Sequence, residues 1–197
     1  MILPKKECHQ RSIEKDSGMI DWTVGLFFLL FLAVFIVAQF QTVLFQMSSS
    51  YLEDALAASN LASAVIDPVE YGISGKIVLS NPEEAFERYC YAVKSNLNLD
   101  SSWECANKHL IAGQVCIESY ILYNVCGEDV ETVTFWADGR TVTDYGKLGQ
   151  IKAPNGKTVT QTGIYSELSF PVKGIWGVEV MAHKGKLVDI LTDEERE

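Results

Sequence analysis

The stretch DSGMIDWTVGLFFLLFLAVFIVAQF, Asp16 to Phe40, decides the fold. From Trp22 to Ala38 it is almost wholly apolar, with Thr23 and Gly25 the mild exceptions. About 20 helical residues, each rising 1.5 Å, cross a hydrocarbon core. The apolar character continues through Phe40 and Thr42–Phe45, so a span over residues 22–42 is comfortable. Trp22 stands where an interfacial aromatic belongs. Asp21 stands at the lip of the run, and a plain anchor does not need a carboxylate there.

Working outward toward the C-terminus, no Gly or Pro occurs from Leu26 to Asp67. The pattern predicts one long helix over 19–66, and the part from Trp22 onward alone is on the order of 65 Å. Leu52, Ala55, Leu56, Ala62 and Ile66 fall at helical spacing and predict an apolar face for packing on a domain. Asp67-Pro68, followed by Gly72 and Gly75, is a strong stop. Ser50-x-x-Glu53 offers an alternative, a capping box that starts a separate helix after a kink. Gln39, Thr42, Gln46 and Ser49 form a thin polar stripe, either a contact between helices or the wet surface beyond the span.

Toward the N-terminus, Lys5, Lys6, Arg11 and Lys15 face Glu7, Glu14 and Asp16, a net charge of +1 over residues 1–18. The whole chain carries −10, which leaves −11 for the remainder. The first basic residue after the span is Lys76. The positive-inside rule therefore places the N-terminus in the cytoplasm and residues 67–197 outside. The small residues Ala55–Ala58 lie too far beyond the apolar core for ordinary signal peptidase, and that core is longer than a secretory h-region. So acidic a domain lacks the basic patches that nucleic-acid binding requires.

The exported region reads as α+β. SNPEEAFERYCYAVKSNLNL predicts a second helix after a loop at 67–81, with Asn81 as N-cap and Pro82 at N1. Its apolar face is Ala85, Phe86, Tyr89, Ala92 and Val93. From Gly113 the period becomes two. Val115, Ile117, Ile121, Tyr123 and Val125 are expected on one face, with Cys116, Glu118, Tyr120, Leu122, Asn124 and Cys126 on the other. Asp138-Gly139 predicts a hairpin with a type I′ turn. TVTQTGIYSELSF gives a further strand, and GVEVMAHKGKLVDIL two short ones around Lys184-Gly185. The expectation is an antiparallel sheet of five or six strands.

Four cysteines follow the span: Cys90, Cys105, Cys116 and Cys126. In an exported domain they suggest two disulfides, with free buried thiols as the other possibility. If 114–126 is one strand, Cys116 and Cys126 are roughly 33 Å apart and cannot bond to each other. Each would then pair with Cys90 or Cys105. No sequence signature of an active site is present. His9, His109 and His183 are isolated, GISGK (Gly72–Lys76) has turn spacing rather than phosphate-loop spacing, and no metal or cofactor is expected.

The charged leader ending in Gly18, the unbroken helix and the small α+β domain resemble a type IV pilin or pseudopilin. SGMIDWTVGLFFLLFLAVF, with TGIYSELSFPVKGIWGVEVMAHK downstream, is similar to TadE-like minor pseudopilins of bacterial Tad (Flp-type) pilus systems. It also resembles related small proteins of Gram-positive mobile elements. The resemblance implies a membrane-anchored structural component and no enzymatic activity. Its partners would be the lipid bilayer, other pilin-like subunits and a prepilin peptidase. That peptidase would cut after Gly18 and make Met19 the new N-terminus. The family's acid is commonly a Glu at the fifth or sixth mature position, whereas Asp21 would be third. As a first-turn carboxylate Asp21 would favour the helix dipole and pair with a neighbour's α-amine. The alternative function is an unprocessed single-pass membrane protein whose external domain binds a ligand or partner.

Overall fold

The computed structural model describes residues 7–106, 111–173 and 179–190, with side chains from Asp21 onward. The chain divides into two compact units, residues 1–47 and 48–197. Helix α1, Glu7–Ser63, belongs to both. It starts before the expected leader boundary at Gly18, because residues 7–17 contain no Pro or Gly to stop it. It does not break at Ser50. Glu53, the acid of the suspected capping box, is engaged elsewhere.

In the first unit the described side chains of α1 bury nothing. Residues 21–46 are exposed on every side, including the consecutive run Phe27-Phe28-Leu29-Leu30. A helix apolar all round is suited to hydrocarbon or to other helices, not to one side of a soluble core. This is the one segment among the described residues long and apolar enough to cross a membrane.

In the second unit the rest of α1 packs on a five-stranded antiparallel sheet. The expected loop at 67–81 contains a short helix, α2, Pro68–Ser74. α1 ends at Ser63, short of the expected end at 66, and Asp67 caps α2, accepting bonds from Val69 N and Glu70 N at 2.9 and 3.1 Å. Gly75, at φ 71°, closes it in the left-handed region that glycine enters without steric cost. Helix α3, Pro82–Asn96, starts where expected but without the expected cap chemistry. Asn81 is left-handed (φ 49°), and its side chain caps no backbone N–H. Its amide instead donates to Glu84 Oε2, 3.4 Å away.

The strands are β1 Cys116–Cys126, β2 Asp129–Trp136, β3 Thr141–Lys147, β4 Gly163–Lys173 and β5 Glu179–Asp189. Their order in the sheet is β3-β2-β1-β4-β5. Two expectations fail in this sheet for reasons of local geometry. The β2–β3 hairpin exists, but Gly139 alone in its turn has positive φ, so the turn is not type I′. The bond from Gly139 N to Trp136 O suits a type I turn closed by a glycine bulge. Likewise β5 is one continuous strand, not two. Gly185 does not turn the chain. A Cβ there would strike the Tyr165 hydroxyl, so glycine makes room for a cross-strand tyrosine.

The parity expected for β1 is also broken. A bulge between Ile117 and Ser119 shifts the register against β4. Val115 and Ile117 thereby join Tyr120 and Leu122 on the helix-facing side, with Leu56, Tyr89, Val93 and Leu168. Ile121, Tyr123 and Val125 face the other way, beneath the β3–β4 connection that supplies Ala153 and Val159. Both faces of the central strand are thus buried. Phe86 stacks on Phe135 at 4.9 Å, and Tyr89 lies 4.7 Å from Tyr120, so an aromatic group anchors α3 to the sheet.

Candidate functional site

Three regions carry features that bear on function: the start of the apolar helix, the seam that holds α1 to the sheet, and the cysteines. Asp21 is exposed. Gly18 and Met19 have helical backbone, and their side chains lie outside the described residues. In the full chain Asp21 is therefore an interior helix residue, far from the dipole's positive end. It becomes a first-turn carboxylate only in a chain that begins at Met19.

The docking face of α1 is not quite the face expected. Leu52, Ala55 and Leu56 are buried, but Ala62 and Ile66 are exposed. The buried stripe continues instead through Ser59, Asn60 and Ser63, all at most 1 % exposed. Positions 52, 55, 56, 59, 60 and 63 follow helical spacing without a gap, so a search by spacing alone finds them; a search for apolar residues does not.

Each buried polar group that α1 brings to this seam has a partner, as burial demands, whereas the buried Tyr89 hydroxyl of α3, beside Tyr120, has none among the described residues. Asn60 Nδ2 donates to Lys186 O at 3.0 Å and to Ile164 O at 3.3 Å, and its Oδ1 accepts from Ser166 Oγ at 2.7 Å. One amide side chain thereby ties α1 to β4 and β5. Ser63 Oγ and Tyr120 Oη share a 2.8 Å bond. Asn96 of α3 donates to Ser59 Oγ at 3.0 Å, and Tyr51 donates to Asn96 O at 2.7 Å.

At the N-terminal end of the seam Glu53 takes Lys186 Nζ at 2.5 Å and Lys184 Nζ at 3.0 Å. Lys184 also donates to Ser49 Oγ at 3.1 Å. The bonds and charges of the two lysines hold the Glu53 carboxyl down at about 2. Of the polar stripe on α1, Ser49 thus meets β5. Thr42 bonds back to Ala38 O at 2.9 Å, a contact within its own helix.

The four described cysteines are free, which corrects the expected two disulfides. β1 is the single strand foreseen, with Cys116 and Cys126 exposed at its two ends. Cys116 pairs in register with Ser169, on the face turned away from α3 and hence from Cys90. Cys126 stands ten residues along β1 from Cys116, about 33 Å away. Cys105 is buried and donates to Leu97 O at 3.4 Å. Cys90 is half-buried, and that burial raises its thiol pKa.

Titratable groups also meet on the face of the sheet opposite the helices. Here His183 is a mid-strand residue of β5, not a strand end beside a turn. Its Nδ1 lies 3.7 Å from Glu167 Oε1, and Tyr165 donates to Glu167 Oε2 at 3.1 Å. Ser169 is directed at Glu118 rather than at the imidazole. Cys116 is two strands from His183, roughly 10 Å. Among the described residues no group of three His, Cys, Asp or Glu is placed to hold a metal. His109 lies outside them. A groove of about 600 Å³ between α1 and α3 is floored by Ala58, Ala62 and Ala92 and edged by Arg88 and Tyr91. Comparison with protein-family models, curated proteins and solved structures gives no match to this chain.

Proposed function

We propose that this chain is a pilin-like, TadE-like subunit that anchors in the membrane and works by lateral helix packing in a Tad (Flp-type) pilus or secretion apparatus. One observation carries the proposal. A single helix is apolar and exposed on all sides over residues 21–46, then continues into a docked, half-polar segment over 48–63. A tether alone needs only the first part. A helix that passes without a break into a folded domain suits a subunit whose helix packs with others while the domain projects.

On this reading residues 1–18 are a cytoplasmic leader, the span is 22–42, and the domain lies outside the cell membrane. A prepilin peptidase cuts after Gly18. Asp21 then sits in the first turn and meets a neighbouring subunit's freed α-amine. The mechanism is helix packing with one charge pairing, without catalysis.

Mass spectrometry of the membrane-extracted protein, from cells holding the cognate peptidase, tests it. A mature N-terminus at Met19 is expected. An intact N-terminus would favour the unprocessed single-pass protein with a partner-binding domain. Asp21→Ala is expected to impair assembly and leave membrane insertion intact; normal assembly would rule out the charge pairing.

A further inference from the structure

We infer that the free edge of β3 pairs with the same edge of a second copy of this chain, joining two five-stranded sheets into one. β3 lies wholly within the second unit, at one end of the sheet order. Its bonds to β2 fix which backbone groups point outward. Trp136 N donates to Arg140 O at 3.0 Å and Leu148 N to Glu128 O at 2.9 Å, at the two ends of the ladder. Bonded and non-bonded pairs alternate in an antiparallel ladder, so Val142, Asp144 and Gly146 bond to β2. Thr141, Thr143, Tyr145 and Lys147 therefore turn their N–H and C=O groups away from the sheet. Among the described residues only Gln150 N reaches one of these groups, Lys147 O at 3.1 Å, and that oxygen keeps a second lone pair.

The usual guards of an edge strand are Pro, a bulge, lysines along the strand or a covering element. β3 has no Pro, and its register with β2 runs without a shift. Thr141 and Thr143 stand on the helix side of the sheet, in register with Phe135 and Val133 of the core, and Tyr145 follows them. All three are exposed, so α3 stops short of the edge. The opposite edge differs. β5 carries His183, Lys184 and Lys186, and both lysines are drawn to Glu53 of α1. Residues 174–178 and 191–197, outside the described residues, leave from that opposite strand. Residues 107–110 lead toward Ala112, which bonds to Pro171 of β4.

The occupant is a second copy because the edge is complementary to itself in one register. Outward-facing groups must meet outward-facing groups, which allows only every second register. With Thr143 opposite Tyr145, the two copies of Asp144 face each other, and like charges directly opposite repel. With Thr143 opposite itself, Val142 meets Asp144. With Tyr145 opposite itself on a two-fold axis, Val142 meets Leu148, Asp144 meets Gly146 and Thr143 meets Lys147. One step further sets Leu148 against Asp144. Tyr145, Val142 and Leu148 are the exposed large apolar residues of this edge, at 75, 39 and 36 %. Of these registers only the one centred on Tyr145 gives each of them an apolar partner.

Photo-crosslinking of the full chain tests this, in detergent micelles that do not hold two copies in one plane. p-Benzoylphenylalanine replaces Tyr145 or, as a control, Tyr91 on α3. These positions are 75 and 78 % exposed, so folding is expected to survive, and circular dichroism checks it. An equal mixture of isotopically light and heavy chains identifies adducts between copies, and mass spectrometry maps them. The expected result is adduct from position 145 into residues 141–148 of the other copy, several-fold above the adduct from position 91. Adduct at the level of position 91, or mapped outside 141–148, overturns the pairing. Thr143→Lys and Thr143→Glu, each added to the chain labelled at 145, then test the register, because position 143 faces Lys147 of the other copy. The Lys variant is expected to lower the adduct several-fold, and the Glu variant is not. Each chain carries −10, so non-specific approach would respond in the opposite sense. Adduct that Thr143→Lys leaves unchanged or raises, or that Thr143→Glu lowers as much, overturns the register and the inference with it.

Discussion

The two halves of α1 differ in composition and meet opposite conditions. From Trp22 to Phe45 the helix is crowded with Phe, Leu and Val, and every one of them is exposed. From Ser48 to Ser63 it is poorer in apolar residues, yet Leu52, Leu56, Ser59, Asn60 and Ser63 are all buried. Leu61, in the same half, is 53 % exposed. The difference teaches that burial along this helix follows the phase of the helix against the sheet and not the hydropathy of the residue. Asn60 is buried because three partners on β4 and β5 receive it; Leu61 is exposed because it is one step, about 100°, out of phase.

This contrast can be broken by substitutions placed on either side of it. The largest effect is expected for Leu56→Ala. It leaves a cavity between α1, α3 and the sheet and should destabilise the domain by about 2–5 kcal/mol. Chemical unfolding in detergent would read the loss, with membrane insertion unchanged. Next is Leu30→Lys, which places a charge near the middle of the span at a cost of about 2.5–3.5 kcal/mol of insertion free energy. Carbonate extraction would read it, and the domain's unfolding midpoint should not move. If Leu30→Lys lowered that midpoint instead, the separation of the two halves would be wrong.

Asn60→Leu comes third. It strands the Ser166 hydroxyl and two strand carbonyls, for about 1–3 kcal/mol. A neutral result in unfolding experiments would mean that the polar seam does not hold the helix.

The smallest effect is that of Glu53→Gln. The carboxyl titrates at about 2 in the folded chain, against an ordinary value of 4.5. A depressed carboxyl stabilises above its unfolded pKa, so the contribution is complete above pH 4.5 and is lost as the pH falls toward 2. Glu53 is more than a third exposed, so solvent screening keeps the amount to about 1 kcal/mol or less. The stability difference between wild type and Glu53→Gln should shrink across that window. A difference that is constant with pH would show that the lysines do not act through charge.

Much of the architecture was legible in the chain. The apolar run needs no tertiary information, because a segment of that length without charge has few physical options. The extent of α3 and its apolar face followed from a Pro at N1 and a 3.6-residue period, and the antiparallel strands from alternation and turn signals, except that β5 reads as two. What was not legible depended on neighbours. Nothing local in CIESYILYNVC announces the bulge that moves Val115 and Ile117 to the helix side. Lys184-Gly185 looks like a turn until Tyr165 is placed beside it. Glu53 looks like the end of a capping box until two lysines, more than 130 residues later, are brought to it. Asp67-Pro68 was visible as a stop but not as the start of α2, whose first N–H groups bond to the Asp67 side chain.

The sequence by itself therefore determined the long helix, the membrane-competent run and the α+β content, because these depend on period, length and the absence of breakers. The tertiary structure alone decided which side of α1 docks, which face of β1 meets it, and that the four described cysteines are free, with Cys116 and Cys126 at opposite ends of β1. Those outcomes turn on register. A one-residue shift in a strand or a 100° step on a helix changes every contact while leaving composition and period as they were.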